Sequence, residues 1–334
     1  MSQCGTDPGI DPDAARAQSG AGTAERCAVD QAAKGVAAMV AAALVWGLSS
    51  LWYKALGHVP AVEVLAHRTL WSAVFLGIIV LVQGRAAEVR AALADRRVRR
   101  LLALAAVLIA TNWLVFISAV QSGHALEASL GYYIFPLVAV VLGFVFQGER
   151  LSRLQVAAVV LAASAVAVLA FGLGGVPRVA LTLALSFGAY GLLKARQPLG
   201  PVISVLIETL LLAPLALMWL VGLHGGVWAD PVGRPGGLFL SDALTTAMLI
   251  GSGPLTALPL ILFSFAARRI SYASVGLIQY LNPTIQFVVA VMIFGEVFTL
   301  WHGVAFPLIW VALALYTAES WRRSRRAEWL AGPP

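Results

Sequence analysis

The chain has 334 residues, of which 60% are hydrophobic and 12% are charged, and its net charge is +7. Soluble globular domains carry about 25% charged residues, so this composition excludes a soluble globule and predicts a membrane protein with several spans. The basic residues cluster in short gaps between apolar runs, which is typical of topology signals, and this distribution argues against nucleic-acid binding.

Residues 1–34 differ from the rest of the chain. They combine Gly, Ser and Ala with scattered charges and show no apolar periodicity, so we expect a disordered cytoplasmic tail. No short apolar segment with a cleavage site stands apart from the first apolar run, so we do not expect a signal peptide. Cys4 and Cys27 both lie in this tail, which leaves the apolar body without cysteine for a disulfide or a metal site.

Ten apolar runs follow, each close to the length of about 20 residues that a helix needs to cross the hydrocarbon core. They are continuously apolar rather than alternating, which predicts helices and not barrel strands. The sixth run is short and begins at Pro177 and Arg178. The predicted spans are 36–56, 63–83, 101–121, 126–146, 154–173, 177–193, 201–221, 243–267, 273–294 and 300–319.

The Lys and Arg residues in the loops predict the orientation of these spans. If the N-terminus is cytoplasmic, most of the 23 basic residues fall in cytoplasmic segments. The outer segments then hold only Lys54, Arg178 and Arg234, and Arg68 lies within the second span. We therefore expect an even number of spans, with both termini in the cytoplasm.

Two stretches of the chain repeat one pattern. YIFPLVAVVLGFVFQGE at 133–149 and YLNPTIQFVVAVMIFGE at 280–296 share Tyr, Pro and Gly-Glu at one constant offset. With the matches below, the pattern pairs span one with six, two with seven and four with nine, so the repeating unit has five helices. Because five is odd, the two copies cross the membrane in opposite directions, as in the inverted repeats of many secondary transporters. The other matches are EASLG at 127–131 with YASVG at 272–276, WGLSSLWYK at 46–54 with FGAYGLLK at 187–194, and RTL at 68–70 with ETL at 208–210.

Several segments are, in order, similar to those of one family: WGLSSLWYKALGHVPAVEVLAHRTLWS, NWLVFISAV, EASLGYYIFPLVAVVLGFVFQGERLS, LSFGAYGLLK, ETLLLAPLAL, GPLTALPLILFSFAARR and LIQYLNPTIQFVVAVMIFGE. Over residues 36–320 the chain resembles the RarD-type branch of the EamA transporters, in the drug/metabolite transporter superfamily. The resemblance implies an all-α polytopic membrane protein whose ten helices form two inverted EamA repeats, 35–173 and 174–321, before a basic cytoplasmic tail, 322–334. It also implies a bacterial inner membrane and the export of a small solute.

The chain departs from the family pattern at two positions. Phe135 stands where the family places the polar Asn of an Asn-Pro pair, and Ser50 stands where Pro is usual. If that Asn contacts substrate, the first copy lacks the contact, so Asn282 in the second copy is the stronger candidate.

Ionisable residues inside the spans are costly and are therefore functional candidates. Arg68 in span two and Glu208 in span seven occupy equivalent positions, and we expect both to reach a central cavity, where they pair or hold a charged substrate. The alternative is a static buried ion pair that locks two helices together. Lys54 and Lys194 close the first helix of each repeat, where they either snorkel to the headgroups or form a gate or an anion contact.

Tyr133 and Pro136 in span four correspond to Tyr280 and Pro283 in span nine. Because Pro lacks an N–H and clashes with the carbonyl four residues back, we expect a kink with a freed carbonyl in each copy. Broken helices at the midplane mark binding sites in transporters, and the alternative is a packing kink without ligand contact. Further candidates are the polar Gln279 and Asn282, the possible kink at Pro254, and the cavity walls Trp46, Tyr53, Asn112, Trp113 and Tyr190.

No catalytic, metal-binding or phosphate-binding motif occurs in the chain, so we expect no cofactor. Without a nucleotide-binding loop, energy must come from a gradient, most simply of protons. The sequence therefore favours a secondary transporter, an exporter or exchanger, whose partners are the bilayer, a small-molecule substrate and a coupling proton. The alternative is a non-transporting intramembrane enzyme or a structural partner in a membrane complex.

Overall fold

The computed structural model describes residues 12–148, 151–195, 197, 199–229, 233, 237–270 and 272–331. Within these residues the chain is helical without strands, which confirms the predicted all-α class. The first six helices are α1 (Pro12–Ala55), α2 (Ala61–Val82), α3 (Ala86–Ala94), α4 (Arg96–Gln121), α5 (Ala125–Gln147) and α6 (Arg153–Gly172). The others are α7 (Arg178–Ala195), α8 (Pro201–His224), α9 (Ala243–Ala266), α10 (Tyr272–Gln279), α11 (Leu281–Val288) and α12 (Leu300–Ala331).

Nine helical segments in the described part of the chain are long and apolar enough to cross a membrane. The ninth predicted span is assembled from α10, α11 and a π-helical turn, Val289–Ile293. The sixth predicted span, 177–193, forms α7, which is not one of the nine segments. The count of ten spans and the cytoplasmic location of both termini therefore stay predictions.

Three helical segments lie where the sequence analysis predicted none. Helix α1 begins at Pro12 and so includes residues 12–34 of the predicted tail, and α12 continues to Ala331 through the predicted basic tail. The short helix α3 lies in the basic loop after α2. Ala and Arg are abundant in these segments and have high intrinsic helix propensity, so a helix forms there without an apolar periodicity. Cys4 lies outside the described residues.

The most extensive helix contacts are related by exchange of the two predicted five-helix repeats. The contacts α5–α7 and α1–α11 are equivalent when the units are exchanged, as are α2–α9 and α4–α8, and α1–α9 and α4–α7. The contacts α2–α8, α6–α12 and α5–α11 each exchange into themselves. This pattern is expected if a pseudo-two-fold axis relates the two repeats.

Close packing at two glycines follows the same symmetry. A Cβ atom added to Gly47 would lie 2.7 Å from Ile285 Cβ on α11, and one added to Gly188 would lie 3.1 Å from Val138 Cγ1 on α5. Gly47 and Gly188 follow the matched aromatic residue in their copies, and Val138 and Ile285 are equivalent positions of the repeated stretch. The first helix of each repeat therefore approaches the fourth helix of the other repeat closely.

The two copies of the repeated stretch end alike but differ at their prolines. Gly148 and Gly295 both adopt left-handed backbone conformations, φ 68° and 67°, which glycine tolerates at a helix end. Helix α5 continues through Pro136, whereas the second copy is interrupted at Tyr280. Pro283 then lies in the first turn of α11, where no N–H donor is needed. Pro254 lies inside the uninterrupted α9.

Three carboxylates cap backbone N–H groups at the end of the molecule that we predict to be extracellular. Glu296 accepts from the amides of Ala125 and Leu126, both at 2.7 Å, at the start of α5. The equivalent residue in the first copy, Glu149, lies outside the described residues. Unpaired N–H groups at a helix start carry partial positive charge, so a carboxylate is favourable there. The other two pairs are Glu127 with Val179 and Ala180, and Glu63 with Gly237 and Leu238.

Candidate substrate-binding site

Arg68 lies in the middle of the helix bundle, between the two repeats. It extends from α2, is 6% exposed, and its Nε donates to Thr256 Oγ1 on α9 at 2.9 Å. The Thr256 hydroxyl in turn donates to the Ser252 carbonyl at 3.0 Å, so its oxygen is free to accept from the arginine. The guanidinium carbon lies 4.1 Å from the centre of the Trp113 ring and 5.5 Å from that of Tyr53. Both rings thus contribute cation–π attraction to the buried charge.

A hydrogen-bonded network on α4, α5 and α7 forms the wall beside Arg68. The Tyr132 hydroxyl donates to Asn112 Oδ1 at 3.0 Å. Asn112 Nδ2 donates to the Leu183 carbonyl and to Ser186 Oγ, both at 3.0 Å. Asn112 is buried, and these three bonds hold its amide in one orientation. Of the predicted cavity walls, Trp113 and Tyr53 therefore lie beside Arg68, and Asn112 is next to Trp113 in α4 and bonded to Tyr132.

Glu208 pairs with Lys194 and not with Arg68. Its carboxylate lies 2.8 Å from Lys194 Nζ and accepts from the Tyr190 hydroxyl at 2.9 Å. Lys194 also donates to Ser204, and Glu208 is only 1% exposed. Of the two alternatives for Lys194, snorkelling to the headgroups does not agree with this contact, because a buried carboxylate one helix away offers a stronger partner. The polar group of the second repeat is thus a neutral ion pair between α7 and α8.

Lys54 does not reach Glu208 or any other described carboxylate. Its Nζ donates to the Val120 carbonyl at 3.4 Å and lies 5.3 Å from the centre of the Phe294 ring. These contacts connect the end of α1 to α4 and to the end of the π-helical turn. Lys54 is therefore located between the repeats, on the side that we predict to be extracellular.

The repeated Tyr-x-x-Pro segments lie away from Arg68. The Tyr133 hydroxyl is 2.7 Å from Thr284 Oγ1 on α11, and its ring packs against α12. Asn282 is buried, and its Oδ1 accepts from Gln286 Nε2 at 2.9 Å. These contacts join α5 to α11 but do not bring either side chain to the guanidinium.

Two remaining candidates of the second copy and one of the first also lie outside the Arg68 cluster. Gln279 and Tyr280 lie at the junction of α10 and α11, and Gln279 Oε1 is buried without a partner among the described residues. The Trp46 ring packs against Phe263 of α9, with centroids 6.2 Å apart.

An apolar groove of about 780 Å³ runs between α2 and α8. His67 lies in it, stacked on Phe239 with ring centroids 4.6 Å apart. The groove does not include Arg68, and its walls are too apolar to hold a charged solute in place of water. The groove and the polar cluster are therefore different places, and we consider the polar cluster the better candidate because charge, hydrogen bonds and aromatic rings converge there.

Sequence analysis missed several residues of these clusters. Thr256 and Tyr132 are residue types that are common in apolar membrane spans. Their spacing in the sequence does not indicate that they lie beside Arg68. The only sequence feature that pointed to Tyr132 was its position next to Tyr133, which belongs to the repeated motif. The other missed side chains are Ser186, Ser204, Thr284 and Gln286.

The Arg68 cluster can bind an anion, whereas the Glu208 cluster can bind or release a proton. No described carboxylate lies within 4 Å of Arg68, and its two terminal nitrogens make no hydrogen bond to described residues. Neither nitrogen is one of the fully buried side-chain atoms that lack a hydrogen-bond partner, so both border accessible space. An arginine with a free edge presents the two parallel donors that a carboxylate or phosphate accepts.

Comparison with known proteins gives the chain a family. The EamA-like transporter family matches residues 33–171. The uncharacterized transporter YojE of Bacillus subtilis is 41% identical over 301 residues, which cover 88% of this chain and 97% of that protein. An uncharacterized transporter of Pseudomonas aeruginosa is 40% identical, covering 85% and 93%. Protein RarD of Escherichia coli is 37% identical, covering 89% and 98%.

A solved crystal structure is similar to this protein in fold, and this similarity carries no conclusion about function. It is 19% identical, has a TM-score of 0.55, and covers 84% of this chain and 96% of that chain. The helical architecture, the apolar spans and the relatives agree with the resemblance derived from the sequence motifs. The chain is a multi-pass membrane protein that belongs to the EamA-like transporter family, in the RarD-type branch of the drug/metabolite transporter superfamily.

Proposed function

We propose that this protein is a secondary transporter that moves a small organic solute across the bacterial cytoplasmic membrane by alternating access, as an exporter or exchanger. The observation that carries the proposal is Arg68, a buried cation without a carboxylate partner among the described residues, located where the two repeats meet. A charged side chain inside a bilayer costs about 2.5–3.5 kcal/mol on insertion scales. Contact with a transported solute explains why such a residue is present.

The symmetric packing supports alternating access. Arg68 on α2 is held by Thr256 on α9, so its surroundings come from both repeats. If the repeats rock against each other, the contacts α2–α9 and α4–α8 exchange roles, and the centre opens to one side and then to the other. At Gly47 and Gly188 the missing side chain lets Ile285 and Val138 of the other repeat pack directly against the helix backbone, which brings the moving helices close together.

Glu208 is the candidate for coupling to protons. Its charge is balanced by Lys194 and its second oxygen accepts from Tyr190, so protonation of the carboxylate removes an ion pair between α7 and α8. An event of this kind changes how two helices pack. We place the coupling group in the second repeat and the solute-binding group in the first.

The relatives and the charge distribution support two parts of this proposal, transport and location in the inner membrane. Neither bears on the direction of transport. Several bacterial relatives bear the name transporter, and none of those compared above bears an enzyme name. The basic loops favour a cytoplasmic location for the short connections after α2, α5, α7 and α9, which is typical of a bacterial inner-membrane protein.

Transport into inverted membrane vesicles tests the proposal. Vesicles with the wild-type protein, with Arg68→Ala or without the protein are incubated with a small-molecule extract of the host cytosol, and their contents are compared by mass spectrometry. We expect one or a few solutes to accumulate only with the wild-type protein, and to be lost when a protonophore is added. Arg85→Ala is the matched control, because Arg85 lies in an exposed pair with Glu88 outside the spans.

Two results would count against transport. Equal accumulation by wild-type and protein-free vesicles across the extract would contradict it. Conversion of a solute into a new compound without accumulation would instead favour the intramembrane enzyme.

A further inference from the structure

We propose that the Arg68 cluster recognises one carboxylate group of a small organic monoanion with an aromatic or otherwise apolar body. This inference rests on the proposed function and names the class of solute for that site. It depends on four properties of the cluster: the fixed orientation of the guanidinium, the lack of an internal counterion, the single available charge and the aromatic surroundings.

The guanidinium is fixed from one edge and from one face. Its Nε donates to Thr256 Oγ1 at 2.9 Å. Its guanidinium carbon lies 4.1 Å from the centre of the Trp113 ring. The terminal nitrogens make no hydrogen bond to described residues and keep some accessible surface. The Tyr53 hydroxyl likewise makes no hydrogen bond to the described part of the chain. A carboxylate that meets the free edge of Arg68 would receive two parallel hydrogen bonds.

The carboxylates of the described spans and of the connections at their ends are engaged elsewhere. Glu63, on the same helix as Arg68, accepts from the backbone of Gly237 and Leu238. Glu208 is held by Lys194 and Tyr190. Glu127 and Glu296 accept from backbone amides of Val179 and Ala125, at the starts of α7 and α5. None of these carboxylates neutralises Arg68, so within the described part of the chain a bound anion is the counterion that the site lacks.

The available positive charge favours a monoanion. Lys194 is already balanced by Glu208, and Lys54 contacts a carbonyl and the Phe294 ring. A doubly charged phosphate would bring a second negative charge into a low-dielectric site, and Arg68 is the only cation that contacts the Tyr53 and Trp113 rings among the described residues. A zwitterion would need a carboxylate for its ammonium group beside Arg68, and none of the described carboxylates lies there.

The surroundings of Arg68 favour an apolar body. Tyr53 and Phe116 meet edge to face with centroids 6.0 Å apart, and Phe116 meets Tyr132 at 5.6 Å. Tyr132 in turn meets Phe187 at 6.0 Å. Tyr53 and Phe116 are packed inside the protein, whereas Trp113, Tyr132 and Phe187 are only partly buried and offer apolar surface to a planar ligand. Benzoate has the charge and the body that this site predicts.

Calorimetry with four matched probes tests the inference on the purified full-length protein in detergent. The probes are benzoate, the neutral benzamide, the zwitterion phenylalanine and phenyl phosphate. We expect benzoate to bind most tightly. Arg68→Gln should weaken benzoate binding at least about tenfold, which is the lower end expected for loss of charge-assisted hydrogen bonds. The benzoate affinity of Arg68→Lys should lie between those of the wild type and Arg68→Gln, because lysine keeps the charge but loses the bidentate geometry.

Controls keep a folding defect apart from a binding defect. Arg85→Gln should bind benzoate like the wild type, and the thermal unfolding of each variant shows whether it is folded. Benzamide binding as tightly as benzoate, tighter binding of phenylalanine or phenyl phosphate, no benzoate binding to a folded wild-type protein, or an unchanged affinity in folded Arg68→Gln would each overturn the inference. If vesicles still accumulate a neutral or zwitterionic solute in these cases, the proposed function stands and only the solute class is wrong.

Discussion

The ammonium group of Lys194 lies 2.8 Å from the carboxylate of Glu208, although the repeat places Glu208 at the position equivalent to Arg68. Both partners belong to the second repeat, on α7 and α8. In the first repeat, Arg68 on α2 instead reaches across to Thr256, 188 residues away in the chain. Equivalent positions of a symmetric fold therefore carry opposite charges with different partners, and this asymmetry gives the two repeats different roles in the mechanism proposed above.

Replacing Glu208 with Gln should destabilise the protein by about 2–4 kcal/mol, because it leaves Lys194 without its counterion in a buried place. The double variant Glu208→Gln with Lys194→Met should recover more than half of that loss, since no unpaired charge remains. Thermal unfolding in detergent measures both. Glu88→Gln, in an exposed pair with Arg85, is the control and should have no measurable effect. A double variant no more stable than Glu208→Gln would contradict a direct pairing.

Arg68→Met should change the stability by only about 1 kcal/mol or less. Removal of the buried charge saves about 2.5–3.5 kcal/mol. It also loses a charged hydrogen bond to Thr256 of about 1.5 kcal/mol and cation–π contacts of about 2 kcal/mol. The same thermal assay, run beside Glu208→Gln, gives the comparison. A loss as large as that of Glu208→Gln would mean that Arg68 has an internal partner after all.

Glu296→Gln should loosen the start of α5. The carboxylate accepts from two consecutive amides, at Ala125 and Leu126, and an amide side chain has one oxygen and no charge with which to replace it. We expect a loss of about 1 kcal/mol, typical of a helix cap. Hydrogen–deuterium exchange should become faster in the peptide that begins at Ala125. Unchanged exchange there, with unchanged unfolding, would show that the cap is dispensable.

Gly47→Ala should destabilise the contact between α1 and α11 by about 1–2 kcal/mol. The new methyl would lie 2.7 Å from Ile285 Cβ, so the helices must move apart. Overpacking of this kind costs about 1–3 kcal/mol. The higher helix propensity of Ala offsets up to about 1 kcal/mol of this cost. Gly191→Ala is the matched control, because a Cβ there meets nothing within 4 Å. It should be neutral or slightly stabilising in the same unfolding assay. Equal effects of the two changes would refute close packing at Gly47.

Single cysteines in a Cys4→Ser, Cys27→Ser background should reveal the inverted topology. His58 follows the first helix of repeat one, and Gly200 follows the first helix of repeat two. If the repeats are inverted, His58→Cys reacts with a membrane-impermeant maleimide in intact cells, whereas Gly200→Cys reacts only after permeabilisation. Labelling of both from the same side would rule out inversion.

Family membership and the positions of the spans could be predicted from the sequence because their signals are local. Hydropathy along a run of about 20 residues decides whether a helix prefers lipid, and a repeated motif such as Tyr-x-x-Pro followed by Gly-Glu is visible without any fold. The shared Gly-Glu of the two copies lies at a helix end in each, where Gly148 and Gly295 have the left-handed backbone that glycine tolerates. The extra helical turns before residue 34 escaped prediction, because helix propensity there is not accompanied by an apolar face.

The sequence by itself determined the helical class, the repeat and the family, and it identified Arg68 and Glu208 as the unusual charges. Only the tertiary structure decided their partners: Lys194 for Glu208, and Thr256 with Trp113 for Arg68. Hydropathy and basic loops depend on each segment alone. Partner choice depends on how each helix is rotated about its own axis and which helices lie against it, and in an apolar span many side chains are compatible with either face.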